Sequence, residues 1–405
     1  MPWKESHYMD ERVRFISRLL GGDRMTDLCG EFGISRKTGY KFWNRYLAEG
    51  VRGLANESRK ALCYPNQTPK EIEELVVCLR EKRPGWGPKK LKEKLEARHF
   101  GVKIPAKSTI GEVIKRYGLP TQKRRSKRSV YRPTELRESK APNDIWSVDF
   151  KGQFRLGNRE YCYPLTASDN YSRYFLGCDG LSSTGMNGVF SCFENIFIEY
   201  GLPKVIRSDN GTPFAAGGIN GWSRLSVWWL RLGIELERIE PGHPEQNGRH
   251  ERLHRTLKQE TTRPAAANLL RQQEIFDMFR KEYNEERPHE GLKMQTPASI
   301  YRKSERKYPR KLDDLEYPLH DYTCRVHSGG VVYLPKSKGF YITAALAGEM
   351  VGLREVDTKL WLVSFMHYDL GYYNEGMGKF NEFDKPQLGV NNGRSLEKVL
   401  PMSPV

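Results

Sequence analysis

The stretch IWSVDFKGQF, residues 145–154, decides how this chain is read. Its apolar residues suit a strand with a face in a core, and Asp149 sits among them, where a carboxylate is costly unless it has a task. EYCYPLTASDN and RYFLGCDG read as two further strands, with NRE as the turn between the first two. Beyond them the pattern predicts a helix over 187–200, a short buried strand at KVIRSD, a helix over 225–232 and a strand at IELERI. Two helices follow, 247 to about 258 and 272 to about 283. Three hairpin-linked strands followed by alternating helices and strands make an α/β core with a mixed sheet.

On that map three carboxylates stand out. Asp149 lies inside the first strand, Asp209 ends KVIRSD just before the turn Asn210-Gly211, and Glu251 lies one turn inside the helix entered through Asn247 and Gly248. In open sheets, groups at the carboxyl ends of strands converge on a crevice. Three carboxylates meeting there suit hard divalent cations and phosphoryl transfer. Capping accounts for Asp209 before Asn-Gly and for Glu251 near a helix start, but Asp149 has no helix end to cap. Asp169 is a lesser metal candidate and reads first as a turn former before Asn170. Residues 250–254 also spell HERLH, the H-E-x-x-H pattern of zinc proteases. That chemistry needs a third ligand, and His289 has no distinctive context for the role.

The surroundings favour nucleic acid over peptide. With 405 residues and a formal charge of +17, the chain holds several domains and attracts a polyanion. No apolar run is long enough to cross a bilayer and no leader pattern opens the chain, so a cytoplasmic protein associated with DNA, and not with membrane, is expected. The seven cysteines are scattered singly, which fits reduced thiols. Helical spacing from Val13 to Leu47, broken by EFGISRKTGY, predicts three helices with Gly33 in a turn and Ser35 as cap. In this helix-turn-helix pattern Arg36, Lys37, Thr38 and Lys41 face a major groove.

The expected division is a helix-turn-helix domain over 8–52 and a second helix-turn-helix or winged unit over 66–120, its last helix capped by Ser108. A basic linker over 121–141 carries Lys123, Arg124, Arg125, Lys127 and Arg128 toward phosphates. The α/β domain spans 142–305, a small all-β barrel 318–378, and a disordered tail 381–405.

WSVD at 146–149, IRSDNG at 206–211 and HPEQNGRHER at 243–252 resemble the D, D and E motifs of retroviral-integrase-like transposases of bacterial insertion sequences. YNEERPHEGLKMQTPASIY resembles the stretch that closes that catalytic domain. The resemblance implies a ribonuclease-H-like core, Asp149, Asp209 and Glu251 as catalytic metal ligands, and two Mg²⁺ ions with Mn²⁺ as substitute. It further implies cleavage of double-stranded transposon ends, strand transfer to target DNA, and a homodimer or higher oligomer. The family's common spacing of 35 residues after Asp209 lands on Glu245, but the motif around Gly248 favours Glu251, and AAGGINGW reads as an insertion that lengthens the count. His254 and Lys258, three and seven positions after Glu251, are expected to share its face and reach DNA. A regulator with a silent core, or a nuclease that does not transpose, would share much of this pattern.

Overall fold

The computed structural model describes residues 8–56, 67–119, 136–241, 243–335 and 338–383. The linker cations Lys123, Arg124, Arg125, Lys127 and Arg128, and the tail from 384 onward, lie outside the described residues. Two compact units emerge, Met1–Thr68 and Pro69–Val405.

The first unit holds α1 (Tyr8–Leu20), α2 (Met25–Glu31) and α3 (Arg36–Glu49). Gly33 turns the chain at φ 63°, and the Ser35 side chain accepts from the Thr38 amide at 3.2 Å, so α3 starts where the cap places it. A side chain at Gly39 would stand 2.7 Å from Cys29 Sγ, which is how closely α3 approaches α2. The core is small: Phe15, Ile16, Leu28, Cys29 and Leu54. Of the apolar residues at helical spacing in α3, Tyr40, Trp43 and Leu47, Trp43 faces the core while Tyr40 and Leu47 are 46% and 63% exposed. Phe42 and Tyr46 complete the inward face.

The second unit opens with α4 (Lys70–Lys82), α5 (Pro88–Arg98) and α6 (Lys107–Arg116), packed around Val76, Trp86, Leu91 and Ile110. Helix α6 follows Ala106 without a side-chain cap, so Ser108 lies within its first turn and does not cap it.

The sheet of the α/β core is built from β1 (Ile145–Phe150), β2 (Phe154–Arg155), β3 (Tyr161–Asp169), β4 (Phe175–Leu181), β5 (Val205–Ser208) and β6 (Glu235–Arg238). Strand β3 lies antiparallel to β1, β2 and β4, while β1, β5 and β6 run parallel, so the sheet is mixed. Parallel neighbours require crossovers, which α7 (Met186–Tyr200) and α8 (Arg224–Arg231) provide. Trp146, Phe193, Phe197 and Trp229 fill the space between them. Helices α9 (Gly248–Thr261) and α10 (Leu269–Glu285) pack with Cys162, Phe175 and Cys178 of the sheet through Leu253, Leu257 and Phe276, and α11 (Pro297–Ile300) follows. Ion pairs link the helices of 69–119 to the end of α10 and the chain after it: Arg83 with Glu282 at 2.5 Å, Arg98 with Glu286 at 3.1 Å and Lys89 with Glu290 at 3.0 Å.

The C-terminal region corrects the expected barrel. Strands β7 (Tyr322–Arg325), β10 (Met350–Asp357), β11 (Leu360–Phe365), β12 (Tyr368–Asn374) and β13 (Lys379–Glu382) form one antiparallel sheet in the order β13-β12-β11-β10-β7. Strands β8 (Val331–Val332) and β9 (Phe340–Tyr341) make a separate ribbon. Among the described residues no ladder joins β13 to β7, so the sheet is open. Closure is unnecessary because the sheet buries its apolar side chains against other parts of the molecule: Val351, Leu353, Val363 and Phe365 share a core with Ile219, Trp222, Val227 and Leu230 of the α/β domain. AAGGINGW, read only as an insertion, supplies Ile219 and Trp222 to this junction, and Trp222 packs edge-on to Phe365 at 5.8 Å.

Candidate active site

Local structure sets each carboxylate. Asp149 opposes Thr166 of β3 near the end of β1, and Asp209 follows the last residue of β5, the parallel neighbour of β1. The Asp209 carboxylate accepts from the Gly211 amide at 3.1 Å, and the Asn210 amide donates to the Ile239 carbonyl at 2.7 Å. Asn210 therefore ties the end of β5 to the chain leaving β6, and the Gly211 amide fixes the Asp209 carboxylate. A parallel pair of strands thus delivers two carboxylates to one sheet end.

Burial, then Asp209 and more weakly Glu251, push the Asp149 carboxyl up to about 7. Both other acids are thus near enough to act on it through space, with Asp209 the stronger neighbour. Glu251 is exposed on the first turn of α9. Among the described residues, no group of three or more His, Cys, Asp or Glu side chains is gathered closely enough to hold a metal ion. The donor set itself is all oxygen, the chemistry a hard divalent cation takes. Asn247, buried, precedes Gly248 at the entry of α9, but its side chain makes no capping hydrogen bond.

The histidines of HERLH answer the protease question. His250 and His254 lie on the buried side of α9, and both Nε2 atoms meet Thr166 Oγ1, at 2.8 and 2.7 Å. The Thr166 hydroxyl donates to the Asp149 carbonyl at 2.8 Å, so it accepts from both rings, and Ser168 Oγ lies 2.8 Å from His250 Nδ1. Burial holds both imidazoles neutral, His250 pushed down to about 3 and His254 lower still. A threonine hydroxyl stands where a shared zinc ion would need to be, and His289 belongs to a different cavity. This also corrects the expectation that His254 reaches DNA, since it is only 6% exposed. The face it occupies is the helix's core face, with Leu253 and Leu257. Its Nδ1 lies 3.7 Å from Asp149 Oδ2, so it backs the site from within.

Lys258 is exposed. Lys151, which sequence reasoning missed, lies near both Asp149 and Lys258: burial and the Lys258 charge lower its pKa, while Asp149 raises it. Its place two residues after Asp149 was the available signal. Asp169 is engaged in a turn, accepting from the Ser172 amide at 2.7 Å, the Ser172 hydroxyl at 2.6 Å and the Asn143 amide at 2.8 Å. In the first unit Arg36, Lys37 and Lys41 are exposed on the early turns of α3, with Thr38 half-buried beside its cap. Among the described residues, no helix is long and apolar enough to cross a membrane.

Comparison with known families matches an integrase core domain over residues 139–244 and another over 232–297. A helix-turn-helix domain matches 11–61 and a homeodomain-like domain 38–114. The 31.7 kDa protein of insertion element IS407 from Burkholderia multivorans is 26% identical over 260 residues, 61% of this chain and 87% of its own length. The 39.2 kDa protein of insertion element IS476 from Xanthomonas euvesicatoria is 28% identical over 188 residues, 44% of this chain, and this chain spans 50% of it. A Gag-Pol polyprotein of woolly monkey sarcoma virus is 31% identical over 140 residues, 34% of this chain and 8% of its own length.

Proposed function

The chain carries an integrase catalytic core joined to helix-turn-helix domains and is related to the insertion-sequence and retroviral integrase families; from that premise we propose that it is a DNA transposase. It binds the ends of a mobile element, hydrolyses the phosphodiester there and transfers the freed 3′-OH into target DNA. The observation that carries this reading is the pair Asp149 and Asp209 at one end of two parallel strands, with Glu251 close enough to add to their repulsion.

Asp149, Asp209 and Glu251 would hold two Mg²⁺ ions, with Mn²⁺ as substitute; bound there, the metal supplies Lewis acidity toward an attacking oxygen and a departing one. The chain's own residues do the rest. Neutral His254 and Thr166 hold the wall behind Asp149, and Lys151 and Lys258 draw the scissile strand toward the acidic mouth. Arg36, Lys37, Thr38 and Lys41 read the end sequence from α3, and the basic linker with Lys123, Arg124, Arg125, Lys127 and Arg128 follows the backbone. Joining two ends requires a dimer or larger assembly.

The test is a nicking and strand-transfer assay on DNA from the ends of the element, with Mg²⁺ or Mn²⁺. Cleavage followed by joining supports the assignment. Specific binding without nicking assigns the chain to DNA-binding regulators, and cleavage without joining to nucleases.

A further inference from the structure

Helix α9 borders a polar cavity of about 380 Å³ that none of Asp149, Asp209 or Glu251 lines. Arg249, Arg252, Leu253 and Thr256 face it at the spacing of one helix side, and Glu251 lies roughly 200° round the helix from Arg249. Six cations surround it: Lys90 of α5, Arg173 of the β3–β4 turn, Arg249, Arg252 and Arg255 of α9, and Arg287 beyond α10.

Their charge is poorly balanced. Arg287 pairs with Glu260 at 2.8 Å, and Arg249 donates to the Asn170 carbonyl at 2.8 Å. The side chains of Lys90, Arg173 and Arg255 make no hydrogen bond or ion pair among the described residues. The acids along the wall are committed elsewhere, Glu290 to Lys89 at 3.0 Å and Asp169 to its own turn. Burial, then the Arg287 charge, pushes Lys90 down to about 8 against the weaker opposing pull of Glu260 and Glu290, and burial, then Arg249, lowers Arg173. Charge repulsion of this kind is what an anion would relieve.

Two buried polar atoms in the same wall lack partners. Asn170 is 5% exposed; its amide oxygen accepts from Ser147 at 3.1 Å, and its Nδ2 donor is unsatisfied. His289 is 7% exposed, donates to the Tyr283 carbonyl through one ring nitrogen, and leaves Nε2 unsatisfied. In the neutral His289 ring the remaining Nε2 is an acceptor, so Asn170 Nδ2 is the orphan donor of this wall; buried donors are normally paired, and one beside unpaired arginines marks a missing acceptor. Guanidinium forks with an amide N–H match tetrahedral phosphate oxygens. The volume exceeds that of one phosphate and suits a nucleotide unit.

We propose that this cavity is a phosphate-binding site, separate from the carboxylate site, that takes a nucleotide unit whose phosphate is held by Arg173, Arg249, Arg252 and the Asn170 amide. Two sources carry that chemistry: a phosphodiester of DNA lying behind α9, or a free nucleotide. The proposal does not depend on the carboxylates cutting DNA, because it is read by binding alone.

The experiment uses the full chain in EDTA, so that no divalent cation bridges phosphate to the acids. In the wild type, Lys90 is acylated with an amine-reactive reagent with and without pyrophosphate, ATP or a 5′-phosphorylated oligonucleotide, and modification is read by mass spectrometry. At least one of these probes should slow acylation of Lys90 several-fold, and Arg173→Gln or the exposed-site variant Arg252→Gln should remove that protection. If DNA is the source, each variant also reduces the slope of log affinity for DNA against log salt by about 0.9; if a free nucleotide is the source, the slope stays and ATP protection alone is lost. Absence of protection by all three probes in the wild type, or protection that survives both substitutions, overturns the proposal.

Discussion

The two charged sides of α9 differ in what balances them. On one side burial, then the charges of Asp209 and Glu251, hold a proton on Asp149 near neutral pH; on the other, arginines and Lys90 crowd one cavity. Between them runs a neutral seam in which two imidazoles converge on Thr166. Excess charge of either sign is destabilising in the free protein, so each side is built for what it binds. The seam lets one helix carry both, because uncharged histidines insert no charge between acid and base.

The largest expected effect tests the acidic side. Asp149→Asn should lower Mg²⁺-dependent cleavage of end DNA at least about 10³-fold while leaving binding within about twofold. Retained cleavage in a gel assay would detach the chemistry from this side of the helix. Next, Glu251→Gln should cost about 10²-fold or more and Glu245→Gln should cost little; the reverse ranking would move the third carboxylate to the approach loop. The seam comes third. Thr166→Val strips the shared acceptor from two buried N–H groups and should destabilise by about 2–4 kcal/mol, with Thr166→Ser restoring most of it in denaturant melts. Equal stability of Thr166→Val would mean the histidines find other partners.

The smallest effect is a pH dependence. The folded Asp149 carboxyl stands at about 7, above the unfolded value, so folding takes up a proton between about pH 4 and 7. The stability it contributes is full below the unfolded pKa and is lost as pH rises through the folded one. In EDTA the wild type should therefore lose on the order of 1 kcal/mol more than Asp149→Asn between pH 5 and 8. Parallel Tm curves for the two proteins would show that burial and the neighbouring acids do not raise the Asp149 carboxyl as described.

How much was legible follows from range. Asp149 in a strand, Asp209 before Asn-Gly and Ser35 before α3 were readable because each announces itself within a few residues of chain. The HERLH spacing was equally visible and equally local, yet its meaning depended on which side of α9 met the sheet. Lys151 was visible only as a neighbour of Asp149, and Tyr40 and Leu47 fitted the helical period while facing solvent. The open C-terminal sheet escaped for the same reason. Alternation showed that one face was buried, but the apolar partners Ile219 and Trp222 come from more than a hundred residues earlier.

The sequence by itself determined the strands and helices, the helix-turn-helix start and the identity of the candidate acids, because caps, turns and periodicity are encoded over one or two turns of chain. Tertiary structure alone decided that the histidines are neutral and inward, that the small sheet stays open against the core, and that cations from four distant segments surround one cavity. Burial and charge repulsion depend on distance in space, and only folding brings Lys90, Arg173 and Arg249 within reach of one another.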